Sequence, residues 1–171
     1  MIVYLVGMMG CGKTSMGKKL ARQLSYRFID MDAFIEEQEG YAIKELFSKI
    51  GEEAFRELEH HYLKRIAKDK NTVLSTGGGL PCYHRNMELM NETGLCIYLH
   101  AEAAFLKSRL INNKAERPLI AHIADEDLET FIEKLLQDRE PFYTLSDLRV
   151  EAKNLKVSQV KDVLIRKKYN I

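Results

Sequence analysis

The chain of 171 residues is 46% hydrophobic and 30% charged, and its 26 basic and 25 acidic residues give a formal net charge of +1. This composition argues against a disordered chain and against a membrane protein, and the length predicts one domain over residues 1–171. Because the charges balance, no global field is available to hold a nucleic acid or an anionic membrane, and we expect neither as a partner. Any anion must be bound locally.

The three cysteines, Cys11, Cys82 and Cys96, contain no Cys-x-x-Cys pair. Their spacing disfavours a disulfide framework or a zinc knuckle and favours a reducing compartment. The first apolar run, Ile2–Val6, has no basic leader and is too short for a signal peptide or a membrane span. We therefore predict a cytoplasmic protein.

Short apolar runs alternate with helical patterns along the chain. Strands are predicted at Ile2–Val6, Arg27–Ile29, Thr72–Ser75, Leu95–Leu99 and Leu148–Val150. Apolar residues one turn apart predict helices through Met16–Leu24, Phe55–Ile66 and Phe131–Arg139, and a closing helix over Val157–Lys168. The alternation predicts an α/β fold, a three-layer sandwich with a five-stranded parallel sheet flanked by helices.

A glycine-rich stretch follows the first strand. Gly7–Thr14 reads GMMGCGKT and fits the phosphate-binding pattern G-x-x-x-x-G-K-[ST]. The glycines let backbone N–H groups converge on an anion, and the positive end of a helix beginning near Lys13 adds to that attraction. Lys13 would reach the β- and γ-phosphates, and the Thr14 hydroxyl would coordinate Mg²⁺. We predict that this P-loop binds a nucleotide through Gly10, Cys11, Gly12, Lys13, Thr14 and Ser15.

A dinucleotide-binding turn is the competing interpretation of these glycines. Asp30 or Asp32 would then hold a ribose. However, Ser15 stands where such a turn has its third small residue, and the turn has no use for Lys13 and Thr14. We therefore favour the nucleoside triphosphate.

Two aspartates follow the second strand, whereas no acid follows the strand Thr72–Ser75. The second carboxylate of the Mg²⁺ site must then come from Asp30 or Asp32, at the end of a strand where open α/β sheets bind ligands. On an extended segment, residues two apart share a face, so both carboxylates would face one cleft. The alternative is that Asp32 caps a helix that begins at Ala33.

Glycines and arginines complete the candidate site. Gly77–Gly79 lie at the end of a strand and have no Cβ atoms, so we expect their N–H groups to contact substrate. Arg56, Arg117 and Arg139 suit bidentate binding of a carboxylate or phosphate, although any one of them alone could be a surface residue. Arg117 lies in the weakly patterned segment 111–125, which we predict to be a lid, with a floppy surface loop as the alternative.

Taken in order, these motifs resemble those of the shikimate kinase family. The resemblance covers nearly the whole chain through Gly7–Thr14, Asp30-x-Asp32, Phe55-Arg56, Thr76-Gly77-Gly78-Gly79, Arg117-Pro118-Leu119 and Arg139-Glu140-Pro141-Phe142-Tyr143. It implies a P-loop kinase fold similar to nucleoside monophosphate kinases, with a lid at about 111–125. It also implies phosphorylation of the 3-hydroxyl of shikimate from MgATP, on the route to chorismate and aromatic amino acids.

The resemblance also implies catalytic roles. Lys13 would hold phosphates, Asp32 would orient or deprotonate the hydroxyl, and Arg117 would meet the transferring phosphate. Thr14 would ligate Mg²⁺, and Asp30 would act on the metal through water. Phosphoryl transfer requires mainly alignment and charge neutralisation, which agrees with these residue types.

The remaining implied roles concern binding. Asp32, Arg56, Gly77, Gly78, Gly79 and Arg139 would bind shikimate, with the two arginines clamping its carboxylate. Arg109, Arg117 and Asn154 would complete the nucleotide site, with Arg109 and the loop around Asn154 on either side of the adenine. We expect ATP and Mg²⁺ as cofactors, and a monomer.

Two other functions remain open at this point. Another small-substrate P-loop kinase, for gluconate or a nucleoside monophosphate, would share the P-loop and the lid. It would not account for Thr76–Gly79 together with Asp-x-Asp and two further arginines. An inactive nucleotide-binding domain would not need Lys13, Thr14 and the aspartates.

Overall fold

The computed structural model describes residues 1–166, which form five strands, seven α-helices and two short 3₁₀ helices. The strands are β1 (Ile2–Val6), β2 (Arg27–Asp30), β3 (Thr72–Ser75), β4 (Gly94–His100) and β5 (Leu148–Glu151). The α-helices are α1 (Lys13–Leu24), α2 (Met31–Glu39), α3 (Ile43–Ile66), α4 (Asn86–Thr93), α5 (Ala103–Leu110), α6 (Leu128–Tyr143) and α7 (Val157–Arg166). The 3₁₀ helices span Leu80–Cys82 and Ile111–Glu116.

The strands form one parallel sheet in the order β2-β3-β1-β4-β5. The predicted five-stranded parallel sheet is therefore confirmed. Three strands run one residue further than predicted at their carboxyl ends, where Asp30, His100 and Glu151 continue the backbone pairing. These polar residues end the apolar runs, so the sequence pattern stops before the strand does.

Helices cover both faces of the sheet, which confirms the predicted three layers. Val3 and Leu5 of the central strand belong to a core with residues of α1, α5, α6 and α7. Ile2, Tyr4 and Val6 belong to a second core with residues of α2, α3 and α4. Since successive strand residues point to opposite faces, burial on both faces explains the unbroken apolar run of β1.

Two helices are longer than the apolar repeats indicate. α3 begins at Ile43 and is broken at Gly51, whose φ of 77° is left-handed. α6 continues through Pro141 to Tyr143. A proline forfeits one backbone hydrogen bond, and that loss is small where Pro141 lies exposed near the end of the helix.

The last described helix, α7, packs on the first core. Val160 and Leu164 are buried there, which confirms the closing helix as far as Arg166. Lys167 and Lys168, which were also predicted to be helical, lie outside the described residues. No helix within residues 1–166 is long and apolar enough to cross a membrane.

Candidate active site

The carboxyl ends of three neighbouring strands meet at one edge of the sheet. The P-loop follows β1, Asp30 ends β2, and Gly77–Gly79 follow β3. Ligands of open α/β sheets bind at this edge. The parallel sheet therefore brings together motifs that are far apart in the sequence.

The P-loop adopts a backbone conformation that requires glycine. Gly7, Gly10 and Gly12 have φ angles of 141°, 82° and 101°, which side chains rarely allow. A Cβ on Gly7 would also lie 2.6 Å from the carbonyl oxygen of Leu99. Gly12 directly precedes α1, so the positive end of that helix adjoins a cavity, the P-loop cavity. Its lining includes Gly10, Gly12, Lys13, Thr14, Ser15, Asp30, Asp32, Arg109 and Arg117.

Lys13 lies over its own loop. Its Nζ donates hydrogen bonds to the carbonyl oxygens of Gly7 at 2.7 Å and Met8 at 3.0 Å. The third N–H of the ammonium group faces the sulfur of Cys11 at 4.0 Å, a weak contact that a phosphate oxygen in the P-loop cavity would replace. Lys13 therefore braces the loop and brings a positive charge to the cavity.

Thr14 and Asp30 are in direct contact. Thr14 Oγ1 donates a 2.7 Å hydrogen bond to Asp30 Oδ2. Hydroxyl and carboxylate oxygens are hard ligands that suit Mg²⁺, which takes few protein ligands and keeps several waters or phosphate oxygens. The pair fits the predicted Mg²⁺ site. In the described part of the chain, no group of three or more His, Cys, Asp or Glu side chains is placed to hold a metal ion.

Asp32 lies in the first turn of α2. The expectation that Asp30 and Asp32 share the face of an extended segment is therefore wrong, because the chain turns from β2 directly into α2. The capping alternative is also wrong, since the helix begins at Met31 before Ala33 and has no side-chain cap. Both aspartates nevertheless line the P-loop cavity.

A second cavity adjoins the P-loop cavity, and we refer to it as the arginine cavity. Arg56, Arg117 and Arg139 line it together with Asp32, Glu36, Glu59 and Gly77–Gly79. An apolar wall of Ile43, Phe47, Phe55, Pro118 and Leu119 completes it. Its volume of about 270 Å³ suits a small molecule.

The carboxyl of Asp32 stands between the two cavities. Desolvation by the surrounding protein raises the pKa of Asp32, and the negative charge of the neighbouring Asp30 raises it further. The positive charges of Lys13 and Arg117 lower it. The side chain nevertheless remains exposed to the cavities. A carboxylate with a raised pKa is a better proton acceptor. Asp32 is therefore suited to accept a proton from a hydroxyl group in the arginine cavity.

The glycines after β3 leave room for two arginines. A Cβ on Gly79 would lie 2.6 Å from Arg56 Nη1, and a Cβ on Gly78 would lie 3.1 Å from Arg139 Nη1. Tyr143 also holds the backbone of Gly78, because its hydroxyl donates a 2.5 Å hydrogen bond to the Gly78 carbonyl oxygen. The absence of side chains at Gly78 and Gly79 therefore leaves room for the two guanidinium groups at the cavity.

The two buried arginines have different partners. Arg56 is 5% exposed and donates to Glu59 at 2.6 Å and to Glu52 at 2.9 Å. Arg139 is 6% exposed, and its Nη1 lies 3.7 Å from the sulfur of Met8. Within residues 1–166, no acidic side chain forms an ion pair with Arg139. Arg139 therefore has no direct ion-pair partner among these residues, although its charge acts on the nearby Glu59 carboxyl.

Glu59 was not anticipated from the sequence. It is 1% exposed, and burial raises its pKa to about 7, against the opposing charge of Arg56. A Cβ on Gly77 would lie 2.8 Å from Glu59 Oε1 and 3.1 Å from Asp32 Oδ1, so the two carboxylates border the same glycine. The sequence signal that could have identified Glu59 was an acidic residue three positions after Arg56, on the apolar face of the predicted helix.

Arg117 follows the second 3₁₀ helix and lines both cavities. Its segment, 111–125, is attached to the protein, since Ile120 is fully buried in the first core and Leu119 and Ile123 pack against that core. The structure therefore disfavours the floppy-loop alternative. That the segment closes as a lid stays a prediction.

A third cavity lies between the P-loop and the turn after β5. Its lining includes Cys11, Gly12, Ser15, Phe105, Arg109, Asn154 and Leu155. The fold thus brings Arg109 of α5 near Asn154, whose φ of 61° places it in a left-handed turn. The cavity adjoins the P-loop, as the predicted adenine site requires.

Comparisons of the sequence and of the structure show which family the chain belongs to. The shikimate kinase family model matches residues 9–167. The shikimate kinase of Phocaeicola vulgatus is 47% identical over 83% of this chain and 81% of its own length. The crystal structure of shikimate kinase from Bacteroides thetaiotaomicron is 40% identical and has a TM-score of 0.91, covering 96% of this chain and 98% of that one. Shikimate kinase from Acinetobacter baumannii, in complex with shikimate, is 32% identical with a TM-score of 0.90, covering 99% and 95%.

Proposed function

The chain belongs to the shikimate kinase family and phosphorylates shikimate, and we propose that the reaction takes place where the P-loop cavity meets the arginine cavity. The observation that carries this proposal is that Asp32, Gly78 and Arg117 line both cavities. A phosphoryl donor in the P-loop cavity and an acceptor in the arginine cavity would therefore meet beside Asp32, which can accept a proton, and Arg117, which carries a positive charge.

We place the donor, ATP, on the P-loop. The N–H groups at the start of α1 and the Lys13 ammonium, in exchange for its weak contact with the Cys11 sulfur, would hold the phosphates. Thr14 and Asp30 would hold Mg²⁺, which when bound neutralises charge on the phosphate oxygens. The adenine would lie in the third cavity, near Arg109 and Asn154.

We place shikimate in the arginine cavity. Arg139, which has no direct ion-pair partner within residues 1–166, would bind the carboxylate, and Arg56 borders the same triple glycine. The apolar wall would cover the ring, and Asp32 would accept hydrogen bonds from its hydroxyl groups. The cavity thus combines an anion site and a hydroxyl site on a small apolar surface.

The transfer itself needs few groups. The 3-hydroxyl oxygen forms a bond to the γ-phosphorus while the bond from that phosphorus to the β-phosphate oxygen breaks, and ADP leaves with the electron pair. The hydroxyl proton passes to Asp32. Lys13 and Arg117 neutralise the charge on the transferring phosphoryl group, whose transition state is loose and depends mainly on alignment. The raised pKa of Asp32 favours its role as acceptor.

An ADP-release assay tests the proposal. We expect turnover with shikimate and far less with gluconate or nucleoside monophosphates. Lys13→Met should lower turnover about 100-fold or more, since it removes a charged donor from the transition state. Lys18→Met is the matched control, because Lys18 is exposed on the same helix. Better use of gluconate or a nucleotide than of shikimate would overturn the proposal. The cytoplasmic location and the monomeric state stay predictions from the sequence.

A further inference from the structure

Lys114 ties together the two ends of the segment that carries Arg117. Its Nζ donates a 2.6 Å hydrogen bond to the carbonyl oxygen of Ile123 and pairs with the carboxylate of Asp125. The Lys114 side chain is 18% exposed, so its ammonium is largely withdrawn from water. Charge-assisted hydrogen bonds of this kind are stronger than neutral ones. They close residues 114–125 into a ring.

Arg117 is part of that ring, and backbone hydrogen bonds connect it to the closing residues. Its N–H donates to the Lys114 carbonyl oxygen at 3.0 Å, and its own carbonyl accepts from the N–H groups of Ile120 at 3.0 Å and Ala121 at 2.9 Å. The N–H of Ile123 donates to the Ile120 carbonyl at 3.1 Å. A continuous chain of contacts therefore runs from the Lys114 ammonium to the Arg117 backbone.

The guanidinium of Arg117 makes no comparable hydrogen bond within the described residues, although its charge acts on the Asp32 carboxyl. Within the described residues it forms no ion pair, although it lines both cavities. Its place at the junction thus depends on the ring and on the buried Ile120. A misplacement of about 1 Å can lower a rate about 100-fold.

We propose that Lys114 is a positioning residue for phosphoryl transfer, which acts by holding the 114–125 ring so that Arg117 stands at the junction of the two cavities. This inference rests on the proposed function, in which Arg117 neutralises the transferring group. Lys114 contributes through the loop and contacts neither cavity.

Single-turnover transfer to shikimate, with both substrates saturating, tests this role. Lys114→Met keeps most of the apolar stem and removes the donors, and it should slow the chemical step about tenfold to 100-fold while the KM for shikimate changes little. Lys114→Arg should restore most of the rate, because it can still donate to the carbonyl and the carboxylate. Asp125→Asn, which leaves the bond to Ile123 in place, should cost less than Lys114→Met.

A matched control and a double mutant separate positioning from general stability. Lys107→Met removes an ion pair with Glu129 that joins α5 to α6 outside the ring, and it should leave the rate unchanged. In an Arg117→Ala background, Lys114→Met should slow transfer no further, since both changes remove the same interaction. A wild-type rate in Lys114→Met, or an equal additional loss in the Arg117→Ala background, would overturn the inference.

Hydrogen exchange provides a readout that does not depend on turnover. Amides of 114–125 should exchange faster in Lys114→Met than in the wild type, whereas those of α4 should not change. Unchanged exchange in the ring would overturn the inference even if shikimate proved not to be the substrate. Failure of the wild type to phosphorylate shikimate, with faster exchange in the variant, would instead overturn the proposed function alone.

Discussion

Arg56 and Arg139 reach the arginine cavity with different electrostatic partners. Arg56 is paired with Glu59 and Glu52, whereas Arg139 contacts the sulfur of Met8. A substrate carboxylate therefore gains more net attraction from Arg139. Removing Arg56 has a second effect, because it leaves Glu59 buried without its partner.

Truncation of each arginine should separate binding from stability. Arg139→Ala should weaken shikimate binding by about 2–5 kcal/mol, as for other buried charge pairs, and leave the free energy of unfolding unchanged or higher. At pH 8, where Glu59 is ionised in the wild type, Arg56→Ala should also lower the free energy of unfolding, by about 3 kcal/mol. Calorimetry and urea unfolding measure the two effects. The double variant Arg56→Ala/Glu59→Gln should recover stability without recovering affinity, and equal stability losses in both single variants would contradict this division.

Glu59 makes the stability of the protein depend on pH. Burial raises the pKa of Glu59 from its ordinary 4.5 to about 7, so the folded state binds this proton more tightly than the unfolded state does. The stabilisation from this proton is complete at pH values below the pKa of Glu59 in the unfolded state. It is lost as the pH rises through the pKa of Glu59 in the folded state. Between about pH 5 and about pH 8, the wild type should lose about 1–3 kcal/mol more of its free energy of unfolding than Glu59→Gln does.

Urea unfolding of both proteins at the two pH values measures that difference. Asp32, whose pKa is also raised, is present in both proteins, so most of its contribution cancels. Glu53→Gln, on the exposed surface of the same helix, is the control and should behave as the wild type. The same loss in Glu59→Gln as in the wild type would mean that Glu59 is ionised throughout this range.

The turn after β3 is an element whose function depends on the absence of side chains. Gly79→Ala would place a Cβ within 2.8 Å of three atoms of the Arg56 guanidinium, which must then leave its position. Overpacking of this kind destabilises a fold by about 1–3 kcal/mol. Because the displaced group is the Arg56 guanidinium that we assign to the substrate carboxylate, we also expect weaker shikimate binding, with ATP affinity unchanged. Gly40→Ala is the control, because a Cβ there meets nothing within 4 Å and only the positive φ of 74° is strained. It should lower stability without changing either affinity, and unchanged shikimate affinity in Gly79→Ala would contradict the prediction.

Elements encoded by local sequence were predictable, and contacts between elements were not. The P-loop is one contiguous stretch, so its glycines, Lys13 and Thr14 could be placed from the sequence together with the strand before them and the helix after them. Asp32 was predicted as a site residue, but its helical conformation was not. The chain passes from β2 directly into α2, and no change in the hydrophobic pattern marks where the strand ends and the helix begins. The bond from Lys114 to Ile123 depends on how the segment folds back on the first core, and no periodicity encodes that.

At the scale of the whole molecule, the parallel sheet places two anion sites side by side. Shikimate is anionic and ATP more strongly so, and the two cavities that we propose for them have Asp32, Gly78 and Arg117 among their shared lining residues. Repulsion between the ligands would make each weaken the binding of the other. Arg117 supplies a positive charge between them, and the first ligand to bind would order its side chain for the second.

We therefore expect positive coupling between the two substrates that depends on Arg117. A non-hydrolysable ATP analogue should raise the affinity for shikimate about fivefold or more in the wild type, and by reciprocity shikimate should raise the affinity for the analogue by the same factor. In Arg117→Ala the coupling should vanish or change sign, because the repulsion between the anions is then uncompensated. Calorimetric titrations of each ligand, with and without saturating amounts of the other, measure the factor. Lys107→Met should couple as the wild type does, and equal coupling in the wild type and in Arg117→Ala would show that Arg117 does not connect the two cavities.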